Sequence, residues 1–231
     1  MRTLGKNTEI RKNYPEDPGT YTNAGEDSTD VNSRSECRNK HKELRRMMSA
    51  EEVAEKSACI CAALEQAPWY VECSIIYGYY PLQNEVDCRS FLEQALADKK
   101  TVALPRMTEK LPEYAGNDGK TSKNMDFYRI LSLAEVASGS FHVMEPVAAC
   151  PKVTEEHAVV LVPGVVFGRD GNRYGYGKGY YDRYFARFPE LYKVGLAYEN
   201  QMEPELTVLD TDVCMNAICT EQGFIYLSTF G

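Results

Sequence analysis

Residues 158–182 read Ala-Val-Val-Leu-Val-Pro-Gly-Val-Val-Phe-Gly-Arg-Asp-Gly-Asn-Arg-Tyr-Gly-Tyr-Gly-Lys-Gly-Tyr-Tyr-Asp. The first five are apolar without a break, as expected of a central strand buried on both faces of a parallel sheet. A glycine-rich loop follows, and residues 180–187 then predict a helix. Strand, glycine loop and helix in that order are the building unit of α/β sheets, whose ligands bind beyond the carboxyl ends of the strands.

The loop has its own chemistry. Gly175, Gly177 and Gly179 alternate with large residues, and Lys178 sits between the last two. Glycine lets backbone amides approach a ligand closely, and successive amides in such turns form anion-binding nests. Lys178 and Arg173 add positive charge, and Asp182 offers hard oxygens to a divalent cation. Together they point to a nucleoside triphosphate with its magnesium. The spacing matches neither the Walker A loop nor Gly-x-Gly-x-x-Gly. On local chemistry alone, a glycine-rich hairpin with exposed tyrosines is the competing reading.

Outward from this centre, apolar residues between Arg34 and Leu64 recur at helical spacing, with Leu44, Met47, Met48, Val53, Ala54, Ile60 and Leu64 marking the pattern. Ser49 and Glu52 form a capping box, so one helix ends near Met48 and another starts there. Pro68 closes the second. Strands are expected at 73–79, 101–104 (stopped by Pro105), 125–130 (an edge), 158–162, 194–198 and 224–227, with a helix at 87–97. The alternation implies one α/β domain over 34–231: a mostly parallel, Rossmann-like sheet with helices on both faces. Residues 81–85 and the glycine loop both fall at strand carboxyl ends. Residues 1–33 read as a disordered tail, because 13–33 are rich in Gly, Pro, Ser, Thr, Asn and Asp without apolar periodicity.

Composition bounds the rest. The chain has 231 residues, 43% hydrophobic and 26% charged, ordinary for a globular protein. A net charge of −8 argues against general nucleic-acid binding. No long apolar run marks a signal peptide or membrane span. Arg2, Lys6, Arg11 and Lys12 leave a mitochondrial transit peptide as the lesser option to a cytoplasmic location. Eight cysteines without a Cys-x-x-Cys pair predict reduced, buried thiols and no zinc site, and His41, His142 and His157 are scattered.

Asn172-Arg173-x-Gly175-x-Gly177-Lys178-Gly179-Tyr180-Tyr181-Asp182, preceded by Pro163-Gly164-x-x-Phe167, resembles the signature of the 5-formyltetrahydrofolate cyclo-ligase (methenyltetrahydrofolate synthetase) family. The resemblance runs from about Arg34 to about Glu221. It implies a fold like that of the sugar-phosphate isomerase and CoA-transferase relatives, and ATP- and magnesium-dependent closure of 5-formyltetrahydrofolate to 5,10-methenyltetrahydrofolate. It also implies small-molecule substrates; the expected state of the chain is a monomer.

Residue by residue, the resemblance implies ATP binding by Arg173, Gly175, Tyr176, Gly177, Lys178, Gly179, Tyr180 and Tyr181, the last two at the boundary between nucleotide and folate. Of these, Lys178, Arg173 and Tyr181 are the catalytic candidates. Arg34 and Arg38, one helical turn apart, stand where the family has Lys-x-x-x-Arg; Lys40 and Lys42 offer another register. Tyr80-Pro81-Leu82-Gln83-Asn84-Glu85 implies a folate pocket with Tyr80 and Glu85, joined by Tyr180 and by Phe141 as a stacking ring. Without the resemblance, Glu85 is an ordinary helix-dipole acid, Arg34 and Arg38 a solvated basic face, and Phe141 core packing. Asp87 reads as a helix N-cap. Asp182 and Asp212 are the implied magnesium ligands; Asp210 competes, and Asn216 stands where a further acid is common. A relative of different activity on the same scaffold, or a binding protein with a decayed site, are the alternatives.

Overall fold

The computed structural model describes residues 28–108, 124–139 and 143–228, with backbone only for 28–31. Helix α1 (Ser28–Arg46) leads into α2 (Ala50–Glu65) and the short α3 (Pro68–Glu72). Strand β1 (Ile75–Tyr77) is followed by α4 (Arg89–Ala97), β2 (Thr101–Thr108), β3 (Asn124–Ile130), β4 (Val136–Ser138), β5 (Met144–Pro146) and β6 (Lys152–Val153). Then come β7 (Val159–Val162), β8 (Val166–Gly168), β9 (Arg173–Tyr174), α5 (Tyr180–Arg187), β10 (Tyr192–Leu196), β11 (Met202–Glu203), β12 (Ala217–Thr220) and β13 (Gly223–Tyr226).

Eight strands form the main sheet in the order β13-β12-β10-β7-β1-β2-β3-β6. The pairs from β12 to β2 are parallel, and β13, β3 and β6 join antiparallel. Strand β7 lies near the middle with all four residues buried, as its apolar run predicts. Period-two alternation splits the strands between two cores. Ile76, Val102, Val159 and Val194 face α2, α3 and α4, where Ile60, Leu64, Trp69, Phe91 and Leu92 pack. Tyr77, Ala103, Val160 and Ile218 face the opposite side, where Tyr184 and Phe185 of α5 close the core. Burying each such large side chain contributes about 1.5–3 kcal/mol.

Several expectations change. Helix α1 starts at Ser28, ahead of the predicted boundary at Arg34; residues 1–27 lie outside the described residues. Its buried face is polar: Arg34, His41 and Arg45 turn inward, while Leu44 and Met47 are exposed. Pro68 does not close α2, which ends at Glu65; it starts α3, where a missing N–H costs nothing. The N-cap of α4 is Cys88, and Asp87 instead accepts from the Arg89 amide and guanidinium.

Strand β2 runs through Pro105. The Ala103 carbonyl points to the β1 side, where it accepts from Gly78, so Pro105, two residues on, faces the same side beyond the end of β1. No ladder bond is lost there. Strand β3 is not the edge, because β6 pairs with it at Phe127 and Tyr128. The strands expected at 73–79, 194–198 and 224–227 are β1, β10 and β13, shorter or shifted by a few residues. The predicted capping box is present, with Ser49 Oγ accepting from Glu52 N and Glu52 accepting from Ser49 N.

Candidate active site

Strands β8 and β9 form a hairpin, and β11 pairs parallel to β8. The glycine loop, residues 175–179, joins β9 to α5. Gly177 (φ +86°) and Gly179 (φ +61°) adopt left-handed backbone that side chains disfavour. Gly179 is the N-cap of α5 and gives no side-chain cap, so the first-turn amides point at the loop. Asp182 Oδ1 accepts from Arg173 Nη2 at 3.0 Å, tying the helix start to β9. At the far end of α5, Arg187 pairs with Asp126 of β3.

Helix α1 lies against β8 and the 3-10 turn Glu199–Gln201. Buried Arg34 stacks on Tyr174, its guanidinium carbon 4.6 Å from the ring centroid, and donates to Asp212 Oδ2 at 2.9 Å. Asp212 Oδ2 also accepts from Leu209 N. Arg34 Nε and Nη1, Arg173 Nε and the Tyr181 hydroxyl are buried with no hydrogen-bond partner among the described residues. Buried donors left open on a cavity wall mark where an acceptor-rich ligand belongs. Burial also pushes the Tyr181 hydroxyl far above its usual range, keeping it a proton donor.

A third wall is the 80–87 segment. Tyr79 donates to Val86 O, Tyr198 to Glu85 O, and Asn84 Nδ2 to the carbonyls of Arg45 and Met48. Glu85 is 4% exposed; its carboxylate accepts from Leu82 N and from the Tyr176 hydroxyl, each at 2.9 Å. Burial pushes this carboxyl above its usual range, opposed by Arg45, the Leu82 amide and Tyr176.

These walls enclose one cavity of about 890 Å³. Arg34, Arg38, Tyr80, Glu85, Arg173, the loop from Gly175 to Gly179, Tyr180, Tyr181, Asp182 and Asp212 all line it. Every sequence-predicted site residue is thus present except Phe141, which lies outside the described residues. Among the other cations of α1, Lys40 turns to Glu203 at 2.7 Å and Lys42 lies 5.7 Å from the Tyr176 ring centroid, whereas Arg34 and Arg38 reach the wall. Asp210 also lines the cavity, whereas Asn216 binds the Lys193 amide and Ser228. Two residues escaped the sequence reading: Arg183, on the wall and donating to Lys178 O, and Arg45, behind it.

Outside the cavity, Cys37, His41 and Glu203 bring potential metal-ligand atoms within 4.8 Å of one another. Buried His41 has Nδ1 on Asn200 O and Nε2 on Glu203 Oε1, the oxygen Lys40 also holds, so the cluster is an ion network clipping α1 to β11. All eight cysteines are free thiols, six of them at least partly covered. Among the described residues no helix is long and apolar enough to cross a membrane.

The sequence profile described as the 5-formyltetrahydrofolate cyclo-ligase family matches residues 30–221. A probable 5-formyltetrahydrofolate cyclo-ligase of Caenorhabditis elegans is 28% identical, over 85% of this chain and 96% of the worm protein. The mouse 5-formyltetrahydrofolate cyclo-ligase is 26% identical, over 79% of this chain and 90% of its own. Among solved structures, Aquifex aeolicus 5,10-methenyltetrahydrofolate synthetase superposes with a TM-score of 0.70 at 31% identity, covering 85% of this chain and 93% of that one. With the signature loop, the fold and the extent of the match in agreement, the chain belongs to the 5-formyltetrahydrofolate cyclo-ligase family.

Proposed function

We propose that this protein is an ATP-dependent 5-formyltetrahydrofolate cyclo-ligase, producing 5,10-methenyltetrahydrofolate, ADP and phosphate. The observation that carries the reading is the one cavity lined jointly by the glycine loop, Arg34, Glu85 and Tyr80. Its volume is at the upper end for small-molecule sites, as two substrates sharing one chamber require.

The nucleotide lies on the glycine-loop amides and the start of α5, with its phosphates among Lys178, Arg173, Arg34 and Arg38. A magnesium ion fits the hard oxygens of Asp182 and Asp212, since it needs only one or two carboxylates beside phosphate oxygens. When bound it neutralises phosphate charge. Arg173 and Arg34 pair with these two carboxylates as counter-ions.

The pterin lies against Glu85, whose two oxygens suit the paired N–H donors of the ring. Tyr80 and Tyr180 frame it, with Phe141 as a further stacking ring. The N5-formyl oxygen attacks the γ-phosphorus; an O–P bond forms as the bond to ADP breaks. N10 then adds to the activated carbon, phosphate departs with the formyl oxygen, and the N10 proton leaves with it. Positioning and charge neutralisation are the protein's share of such chemistry. Tyr181, held protonated, donates to the developing charge beside Lys178 and Arg173.

We assign the enzyme to the cytoplasm, which the free thiols favour, without nucleic-acid partners, which the acidic charge favours, and take it as a monomer. The test is absorbance at the methenyl-folate band with purified protein, Mg-ATP and (6S)-5-formyltetrahydrofolate. A rise that requires ATP is expected. Folate binding without any rise would leave a binding protein with a decayed site.

A further inference from the structure

Arg45 is 2% exposed, does not line the cavity and lies outside the signature motifs, yet its guanidinium forms an ion pair with Glu85. Its Nη2 donates to the Tyr176 hydroxyl at 2.5 Å, and that hydroxyl in turn donates to Glu85 Oε1 at 2.9 Å. Its Nη1 donates to Gly164 O at 3.1 Å and stands 4.0 Å from Glu85 Oε1. Its own carbonyl receives Asn84 Nδ2. One residue of α1 therefore touches the strand-end turn, the glycine loop and the 80–87 segment.

A buried guanidinium with no charge partner would cost several kcal/mol. Here burial works against its charge, and Tyr176 and Glu85 outweigh that penalty. Every hydrogen in the chain runs one way, from Arg45 to Tyr176 to Glu85, which strengthens each link. We propose that Arg45 is a positioning residue that locks the glycine loop to the folate-side carboxylate, holding Glu85 ionised and aimed at the pterin. The proposal rests on the folate-side reading of Glu85 and deepens it. It also gives Tyr176 a role different from phosphate contact: the residue lines the cavity while its hydroxyl relays the charge of Arg45. The groups around Glu85 are Arg45 from α1, Tyr176 from the loop, Tyr181 from α5, Tyr79 from the end of β1 and the Leu82 amide of its own turn.

The test compares Arg45→Met, Tyr176→Phe, their double variant and Glu85→Gln in the full-length protein. For Arg45→Met we expect the KM for 5-formyltetrahydrofolate to rise about tenfold, equivalent to ~1.4 kcal/mol, with the KM for ATP within about twofold of the parent. Removing the cation lifts an already raised carboxyl further, so the acidic limb of kcat/KM for folate moves to higher pH. The double variant should cost no more than the worse single one, because the chain acts as a unit. Arg45→Lys should restore the acidic limb but not the full affinity, since it keeps the charge and loses the fork. An unchanged folate KM and limb in Arg45→Met, where Glu85→Gln raises the KM, would overturn the proposal alone. An equal rise in both substrates' KM would also overturn it, marking Arg45 as a general brace of α1. An unaltered KM in Glu85→Gln itself would instead overturn the folate-side reading beneath it.

Discussion

At the residue scale, one side chain decides whether the glycine loop is an anion cradle or only a turn. Lys178 sits between two left-handed glycines on the cavity wall, and the proposed reaction sets its ammonium beside the γ-phosphate. Lys178→Ala is expected to lower kcat by at least ~10²-fold, the scale for losing one donor aimed at developing charge. Steady-state rates at saturating substrates check this, and a near-normal kcat would take Lys178 out of the reaction. The residues legible in the sequence share one property: their role depends on neighbours a few positions away. Lys178, Gly177, Gly179 and Asp182 are all set by the local run. Arg45 was not legible, because its partners lie 40 and 131 positions along the chain and nothing within α1 announces them. The same holds for the polar face of α1. Leu44 and Met47 fit the helical period, yet the neighbour of α1 is an arginine-binding wall rather than an apolar core.

At the element scale, α5 and β7 were read from sequence at or near their true bounds, β7 because its apolar run is unbroken and α5 because it follows that strand and the glycine loop. The short strands β4, β5, β6, β8, β9 and β11 were not, since two or three residues hold no period and are defined by their partners. Pro105 misled for the same reason: whether a proline interrupts a strand depends on which neighbour its nitrogen faces. Two predictions belong here. A Cβ at Gly177 would meet Arg38 Nη1 only at 3.8 Å, so space is available, but φ +86° is strained for alanine. Gly177→Ala should cost about 1–2 kcal/mol of loop geometry and show as a raised KM for ATP, with folate affinity kept. A KM for ATP that stays constant would mean the loop does not need that conformation. At the other end of α1, Ser49→Ala removes the cap of α2 and should lower stability by about 1 kcal/mol. Urea unfolding would read it as a lower midpoint at unchanged slope, with catalysis intact because the cap lies on an exposed turn away from the cavity.

At the scale of the whole molecule, the cavity has no single owner. Helix α1, the β1–α4 segment, the glycine loop and the 209–213 segment each supply a wall, and they come from opposite ends of the chain. A ligand that bridges them must therefore stabilise the global fold rather than one flap. Linkage gives about 2.7 kcal/mol at a ligand concentration of 100 times its Kd. For a chain of this size that is on the order of 5–10 °C in Tm. Mg-ATP and 5-formyltetrahydrofolate should each raise Tm when added alone, which differential scanning of the protein with single substrates would measure without turnover. With a non-hydrolysable ATP analogue and the folate both present, the combined shift should exceed the sum of the separate shifts. The first ligand would already have ordered the arginines and loop that the second one needs. Arg34 and Arg173 carry buried donors with no partner among the described residues, and an anion that satisfies them removes a cost from the folded state. Strictly additive shifts would mean that the two halves of the cavity bind independently. In that case the contacts from α1 through Tyr176 to Glu85 would serve geometry within each half rather than communication between them.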